Sequence, residues 1–351
     1  MLPISPIIER DNNNILPLIA GPCSAESKEQ VFETARHLSE TKLVKLFRCG
    51  IWKPRSSPNS FEGLGETALT WLKEIETQYG LIPCIEIAMP QHLEKAYNRG
   101  VTHYWLGART SVNPFAVQEL ANACTGLDIA LMIKNPISPD LPLWYGNFER
   151  FAKVGIKRMA AIYRGFSTGK HQLYRYEPMW QLLIEFKHYY KEIPVFCDPS
   201  HIAGKRKYIP EIAKKALFLN VDGLMLETHI NPSAAMSDKQ QQLSIPDFKE
   251  LINRLIIPTQ KQVTNSVLEK YREEIDTIDN QIFELLSKRF DIGKQIALFK
   301  KENNIPILQI ERWEQLYNER LALANELGID SKFVEIFLKL LHEASIKTQK
   351  I

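Results

Sequence analysis

One pattern constrains this chain most. Eight times between residues 16 and 230, a short apolar run closes on a reactive side chain and gives way to a stretch with helical spacing. The runs include LPLIAGPCS (16–24), IPCIEIA (82–88), IALMIKNP (129–136) and VDGLMLETHI (221–230). Between them, segments such as 29–40, 67–79, 114–124 and 207–218 carry apolar residues at three- and four-residue steps. Strands buried on both faces read as continuous apolar runs, and eight of them alternating with helices over about 250 residues predict a (β/α)8 TIM barrel. A doubly wound open sheet is the alternative, but no glycine-rich phosphate loop follows a strand to support it. The runs end on Cys23, Arg48, Glu86, Arg109, Lys134, Arg164, Asp198 with His201, and Glu227. Barrel chemistry sits at the carboxyl ends of the strands, so these termini predict one shared site.

The grammar changes near residue 263. Of 20 prolines and 16 glycines, only Pro306, Gly293 and Gly328 lie beyond it. Leu268, Tyr271, Ile275, Ile278, Ile282, Leu285, Ile292, Ile296 and Phe299 recur at helical steps through 264–302, which predicts a rod of nearly ~60 Å. Two shorter helices, 309–326 and 331–349, are separated by Gly328 and Asp330, a stop and a start signal. Two short helices cannot cover such a rod, so an intertwined dimer is expected. The predicted organisation is an α/β barrel domain over 1–257, a linker over 258–264 and an all-α, dimerising domain over 265–351.

The net charge of +3 is too small for a general nucleic-acid binder, and no basic, aromatic-laced stripe appears. No apolar run approaches the ~18 residues of a membrane span. The start, MLPISPIIERDNNN, has neither a basic region nor an apolar core, so no signal peptide is read and a cytoplasmic protein is expected. Five scattered cysteines fit reduced thiols better than a disulfide framework.

Cys23, His201, Glu227 and Asp238 can form a four-ligand site for a divalent ion. Mixed sulfur, nitrogen and oxygen ligands suit Mn, Fe, Co or Zn better than Mg or Ca. Singly, each has a plainer reading: a small buried thiol, a hydrogen-bonded imidazole. Glu227 after VDGLML is harder to dismiss, because an unmatched carboxylate at a strand end is costly. Arg48, Lys53, Arg55, Arg109, Lys134, Arg164 and Arg206 would crowd the same mouth. Cations so close repel one another and need anions, and arginine forks match phosphate and carboxylate oxygens. A substrate with several negative charges is implied, and the loop KPRSSPNSF (53–61) suits a phosphorylated polyol.

GPCSAES (21–27), FRCG (47–50), KPRSSPNSF (53–61), LGAR (106–109), MIKNP (132–136), YRG (163–165), DPSHIAGKR (198–206) and LMLETHINP with SDKQQQL (224–243) resemble the 3-deoxy-D-arabino-heptulosonate 7-phosphate (DAHP) synthases, type I-beta. The resemblance implies a metal, Mn foremost, on Cys23, His201, Glu227 and Asp238. It implies phosphoenolpyruvate on Arg48, Lys53, Arg109, Lys134 and Arg164, with Lys53 between the substrates. Erythrose 4-phosphate would lie on Lys53, Pro54, Arg55 and Ser56, aided by Arg206. The implied reaction opens the shikimate pathway: carbon C3 of the enol phosphate attacks the metal-polarised aldehyde, water adds at C2 and phosphate leaves. Lys134 as a Schiff-base nucleophile is a rival role. The sister synthase, making 3-deoxy-D-manno-octulosonate 8-phosphate, is the rival activity, against which KPRSS argues.

On the rod, Arg272 and Arg289 are 17 residues apart, about 25 Å and some 260° of rotation, and cannot serve one small ligand from one chain. Arg289 and Lys300, 11 residues apart, share an azimuth about 16 Å apart and can straddle one. Residues 267–350 resemble the all-helical chorismate mutases. That resemblance implies chorismate held by Arg289, Lys300, Gln309, Arg312, Ser345 and Gln349, with Arg272 from the neighbouring chain. Gln309 and Trp313 stand where the family often has Asp and Glu, which predicts a weakened mutase. The rearrangement to prephenate is unimolecular, so a cationic cage that orients one conformer suffices. The alternative is a regulatory and dimerisation module through which prephenate restrains the barrel. Small-molecule substrates and a homodimer, with a tetramer open, are the expected partners.

Overall fold

A computed structural model describes residues 2–8, 16–53, 59–169, 173–255, 266–306 and 309–348. The chain divides into two compact units, Met1–Thr259 and Gln260–Ile351. The expected linker, 258–264, lies outside the described residues.

The first unit is a closed barrel of eight parallel strands in sequence order: β1 (Leu18–Gly21), β2 (Val44–Arg48), β3 (Ile82–Ile87), β4 (His103–Leu106), β5 (Ala130–Lys134), β6 (Arg158–Tyr163), β7 (Val195–Cys197) and β8 (Gly223–Glu227). Helices α1 (Lys28–Ser39), α2 (Glu66–Tyr79), α3 (Pro90–Tyr97), α4 (Pro114–Ala123), α5 (Leu141–Lys153), α6 (Trp180–Tyr189), α7 (Pro199–Ala203), α8 (Ile209–Phe218) and α9 (Ile245–Arg254) alternate with them. Polar residues mark where these helices begin. Asn113 accepts from Phe115 N and Ala116 N ahead of α4, Asp140 accepts from Leu143 N ahead of α5, and Ser244 with Asp247 closes a capping box on α9.

Strand residues alternate between two cores, as a period of two requires. Leu18, Ala20, Phe47, Ile85, Leu131, Ala161 and Leu226 face the helices. Ile19, Leu46, Cys84, Trp105, Met132, Ile162, Phe196 and Met225 fill the barrel interior, together with Ile7 from the N-terminal segment. The Ser5 amide donates to Lys157 O at 2.8 Å, which fastens that segment beside the start of β6. This alternation places the chemistry. Arg48, Glu86, Lys134, Arg164, Asp198 and Glu227 each stand two residues beyond an interior apolar residue, so all six project into the barrel at its carboxyl-terminal end.

The second unit is α10 (Ser266–Glu302), α11 (Ile310–Glu326) and α12 (Ser331–Thr348). At 1.5 Å per residue α10 is about 55 Å long. Gly328 at φ +69° ends the α11 turn, and Asp330 starts α12 by accepting from Phe333 N at 2.8 Å. Its core is small: Ala324, Val334 and Leu338, with Trp313, Leu316, Tyr317 and Leu321 against them. Leu268, Tyr271, Ile275, Ile278 and Ile282 on α10 remain exposed. Among the described residues, no helix is long and apolar enough to cross a membrane.

Candidate active site

Interior strand ends and the loops beyond them enclose a tight cavity of about 80 Å³, lined by Lys53, Glu86, Gly107, Arg109, Lys134, Arg164, Arg175, Tyr176, His201 and Asp238, among others. Lys53 is fixed by its ammonium, which donates to Cys23 O at 3.0 Å. Lys134 donates to Asp198 Oδ2 at 2.9 Å, with both side chains buried. Arg164 is buried, and its backbone N–H donates to Asn135 Oδ1 at 2.7 Å. Glu86 leans against Gly107, where a Cβ would lie 2.1 Å from its Oε1. Four of the cations expected on phosphoenolpyruvate, Lys53, Arg109, Lys134 and Arg164, thus meet at one cavity.

The fifth does not line it. Arg48 is wholly buried, its Nη2 lying 3.2 Å from Glu227 Oε1 and its guanidinium 5.1 Å from the Trp105 ring. As the last residue of β2, in phase with Leu46, it points inward and is covered by the residues above. Arg206 also departs from expectation. It opens a 3-10 turn after Gly204 and lines a separate groove with Lys207, Glu211, Asp247 and Glu250, because the chain turns outward there to begin α8. Pro54, Arg55 and Ser56 lie outside the described residues.

The four expected metal donors stand as two pairs. Cys23 Sγ donates to Asp238 Oδ2 at 3.1 Å, and His201 Nδ1 lies 3.8 Å from Glu227 Oε1. Among the described residues, no group of three or more His, Cys, Asp or Glu side chains is gathered into a cage. The carboxylates are turned onto other partners. Asp238 Oδ1 takes Arg175 at 2.8 Å, Glu227 Oε2 accepts from Gln241 Nε2 at 2.7 Å, and His201 Nδ1 sits 2.8 Å from Asp198 Oδ2. Yet Glu227 Oε1 is buried with no well-formed hydrogen bond, only the Arg48 guanidinium at 3.2 Å, and a bound ion would give it a direct partner. Burial, helped by Glu227, pushes the Cys23 thiol up to about 12. Burial likewise holds the His201 imidazole neutral, outweighing Asp198. Burial opposes ionisation of Asp198 and Glu227, but Lys134 and the His201 hydrogen bond on the first, and Arg48 on the second, hold both below the usual carboxylate range. The donor set of one thiol, one neutral imidazole and two carboxylates fits a borderline divalent ion, whose binding would expel the thiol proton.

Sequence reasoning passed over Arg175 and Tyr176, since the segment 166–179 has no strand or helix pattern to flag them. It also left Glu86 and Asp198 as bare strand ends without a role.

In the second unit, Arg289, Lys300, Gln309, Arg312, Trp313, His342 and Ser345 line a cavity of about 460 Å³. Arg289 Nη1 donates to Ser345 Oγ at 2.7 Å, tying α10 to α12. Trp313 packs against His342 with ring centroids 4.1 Å apart and planes tilted by 33°, so its indole fills one wall where a carboxylate could have stood. Arg272 is not among the lining residues and pairs with Glu269 at 2.6 Å. Gln349 lies outside the described residues.

Residues 3–263 match the DAHP synthetase I family, and residues 271–350 match chorismate mutase type II. Phospho-2-dehydro-3-deoxyheptonate aldolase of Thermotoga maritima is 30% identical over 247 residues, covering 69% of this chain and 70% of the relative. A 2-dehydro-3-deoxyphosphooctonate aldolase of Azoarcus is 26% identical over 266 residues, 68% of this chain and 88% of the relative. The crystal structure of the Thermotoga maritima DAHP synthase superimposes with a TM-score of 0.61 at 29% identity, over 68% of this chain and 67% of that one.

Proposed function

The chain belongs to the DAHP synthetase I family and carries a type II chorismate mutase domain, and on that premise we propose a residue-level account of two activities in one polypeptide. The barrel condenses phosphoenolpyruvate with erythrose 4-phosphate to DAHP and phosphate, and the helical unit converts chorismate to prephenate. The observation that carries the account is the meeting of Lys53, Arg109, Lys134 and Arg164 at one small cavity that His201 and Asp238 also line, with Cys23 against Asp238 and Glu227 beside His201.

Lys53, Arg109, Lys134 and Arg164 hold the carboxylate and phosphate of the enol phosphate. Their shared charge offsets the repulsion between two anionic substrates, so the reacting carbons can be held in contact. Cys23, His201, Glu227 and Asp238 would hold a divalent ion, Mn foremost, which supplies Lewis-acid polarisation of the sugar aldehyde when bound. As C3 bonds to the aldehyde carbon, positive charge grows at C2 and water adds there. Glu86 is the carboxylate on the cavity wall available to take that water's proton, since Asp238 is held by Arg175. Asp198 fixes the ring of His201 and anchors Lys134, so it serves both sites. The ion pair with Asp198 supports a clamping Lys134 over a Schiff-base nucleophile.

Arg289, Lys300, Gln309 and Arg312 cage chorismate, and Ser345 orients Arg289. The exposed apolar face of α10 supports a homodimer, in which the partner chain contributes Arg272. The same cavity is the place where prephenate would act as a feedback inhibitor. A cytoplasmic location belongs to this reading.

One assay tests the account: turnover with erythrose 4-phosphate against arabinose 5-phosphate, with chorismate loss followed on the same preparation. Preference for the five-carbon sugar sinks the barrel assignment, and intact chorismate turnover in Arg289→Ala sinks the cage.

A further inference from the structure

One aromatic ring, that of Tyr176, stands among the cations of the barrel mouth. Tyr176 lies in the segment after β6 with its ring centroid 3.3 Å from the guanidinium carbon of Arg164 and 5.5 Å from that of Arg175. Arg175 in turn holds Asp238 at 2.8 Å. Contacts therefore run without a break from the anion cavity to a candidate metal donor.

The placement is built, not incidental. The Tyr176 amide donates to Ile202 O at 3.2 Å, and the Arg175 amide donates to Ala203 O at 3.4 Å. Next to them, Glu177 and Phe166 exchange two backbone hydrogen bonds at 2.8 and 2.9 Å. Two glycines make the room. A Cβ on Gly165, at φ +75°, would meet Glu177 O at 2.9 Å and Tyr176 Cβ at 3.1 Å, and a Cβ on Gly204, at φ +65°, would meet Arg175 Cβ at 2.5 Å. Both positions lie in the left-handed region that favours glycine.

Arg164 is the group this scaffold serves. It is 3% exposed, no carboxylate pairs with it among the described residues, and its Nε has no hydrogen-bond partner. A guanidinium held 3.3 Å from a ring centroid is kept in place, and apart from the long 3.5 Å contact of Nη1 with Gly165 O its N–H groups remain to fork onto a carboxylate or phosphate. Without the ring, the same buried cation would sample other rotamers, and ordering it would be charged against ligand binding. Burial raises the Tyr176 phenol, but Arg164, Arg175 and Arg109 together bring it down on balance, consistent with a ring enclosed by cations.

We propose that Tyr176 is a positioning residue of the anion site, the platform that fixes Arg164 for the enol phosphate; this rests on Arg164 binding that substrate. The test is calorimetric titration of phosphoenolpyruvate into the full-length, Mn-loaded protein and into Tyr176→Leu, Tyr176→Phe and Arg164→Leu, with steady-state kinetics on each. Tyr176→Leu is expected to raise Kd and KM for phosphoenolpyruvate about tenfold to thirtyfold, as loss of a desolvated cation–π contact does. Tyr176→Phe keeps the ring and is expected to stay within about threefold of the parent. Wild-type affinity in Tyr176→Leu, or an equal loss in Tyr176→Phe, overturns the platform. A fall in kcat at unchanged KM also overturns it, since general loosening of the fold would do that. Unchanged affinity in Arg164→Leu overturns instead the assignment of Arg164 on which the proposal rests.

Discussion

Lys134→Met removes an ammonium whose two neighbours are the Asp198 carboxylate and, 6.0 Å away, the Trp105 ring. The carboxylate is 2.9 Å away in a pair where Lys134 is 4% exposed and Asp198 0%. Taking one partner from a buried pair strands the other charge and typically costs about 3–5 kcal/mol. Here the stranded carboxylate has a second recourse, because His201 Nδ1 lies 2.8 Å from it. In the parent, burial and the positive charge of Lys134 keep that imidazole neutral. Without Lys134, protonating His201 restores a cation beside Asp198. The folded-state pKa of His201 then moves up from its lowered position, so the variant loses less stability than the parent as pH falls below about 6.5, and the compensation is absent well above that pH. The expected loss is about 3 kcal/mol or more at pH 8 and about 1–2 kcal/mol smaller at pH 5.5. Guanidinium unfolding at both pH values, with a chelator present so that ion binding does not contribute, reads the difference. Equal losses at the two pH values would refute the exchange of one cation for another.

Four other outcomes are expected. Gly107→Ala puts a methyl 2.1 Å from Glu86 Oε1 and should cut heptulosonate formation about a hundredfold, while chorismate turnover, measured on the same sample, is retained. Chelation should abolish heptulosonate formation and Mn restore it, whereas the mutase rate should not change, as none of Arg289, Lys300, Gln309 or Arg312 is a metal donor. His103, buried and held down to about 4 chiefly by burial with Arg158 adding, folds neutral. Stability should therefore fall as pH drops below 6.5, by about 2 kcal/mol at pH 5, and His103→Gln should flatten that fall in melting curves. Trp313→Glu should raise chorismate kcat/KM several-fold if the indole on His342 occupies a useful acceptor position, and an unchanged value would show that the position is idle.

The barrel was legible because its evidence is local. A period of two sends residues of each strand alternately inward and outward, so a charged residue two places beyond an interior apolar one must project into the mouth. That is why Lys134 after Met132 and Arg164 after Ile162 could be read from their runs. The long rod and its two companion helices were legible for the same reason, through a period of 3.6. Tyr176 could not be read this way. It follows no repeating pattern and gains its place through backbone bonds to Ile202, a residue of the next strand-to-helix connection.

What the amino-acid order determined by itself was the number of layers, the sequence of strands and helices, and which reactive residues share the barrel's interior phase. Only the folded chain decided the pairings: Arg48 sealed beneath the cavity against Glu227, Arg206 carried outward, and Arg175 swung onto Asp238. The physical reason is range. Periodicity acts over a few residues along the backbone, whereas a charge in a low-dielectric mouth answers to whichever opposite charge the loops bring nearest.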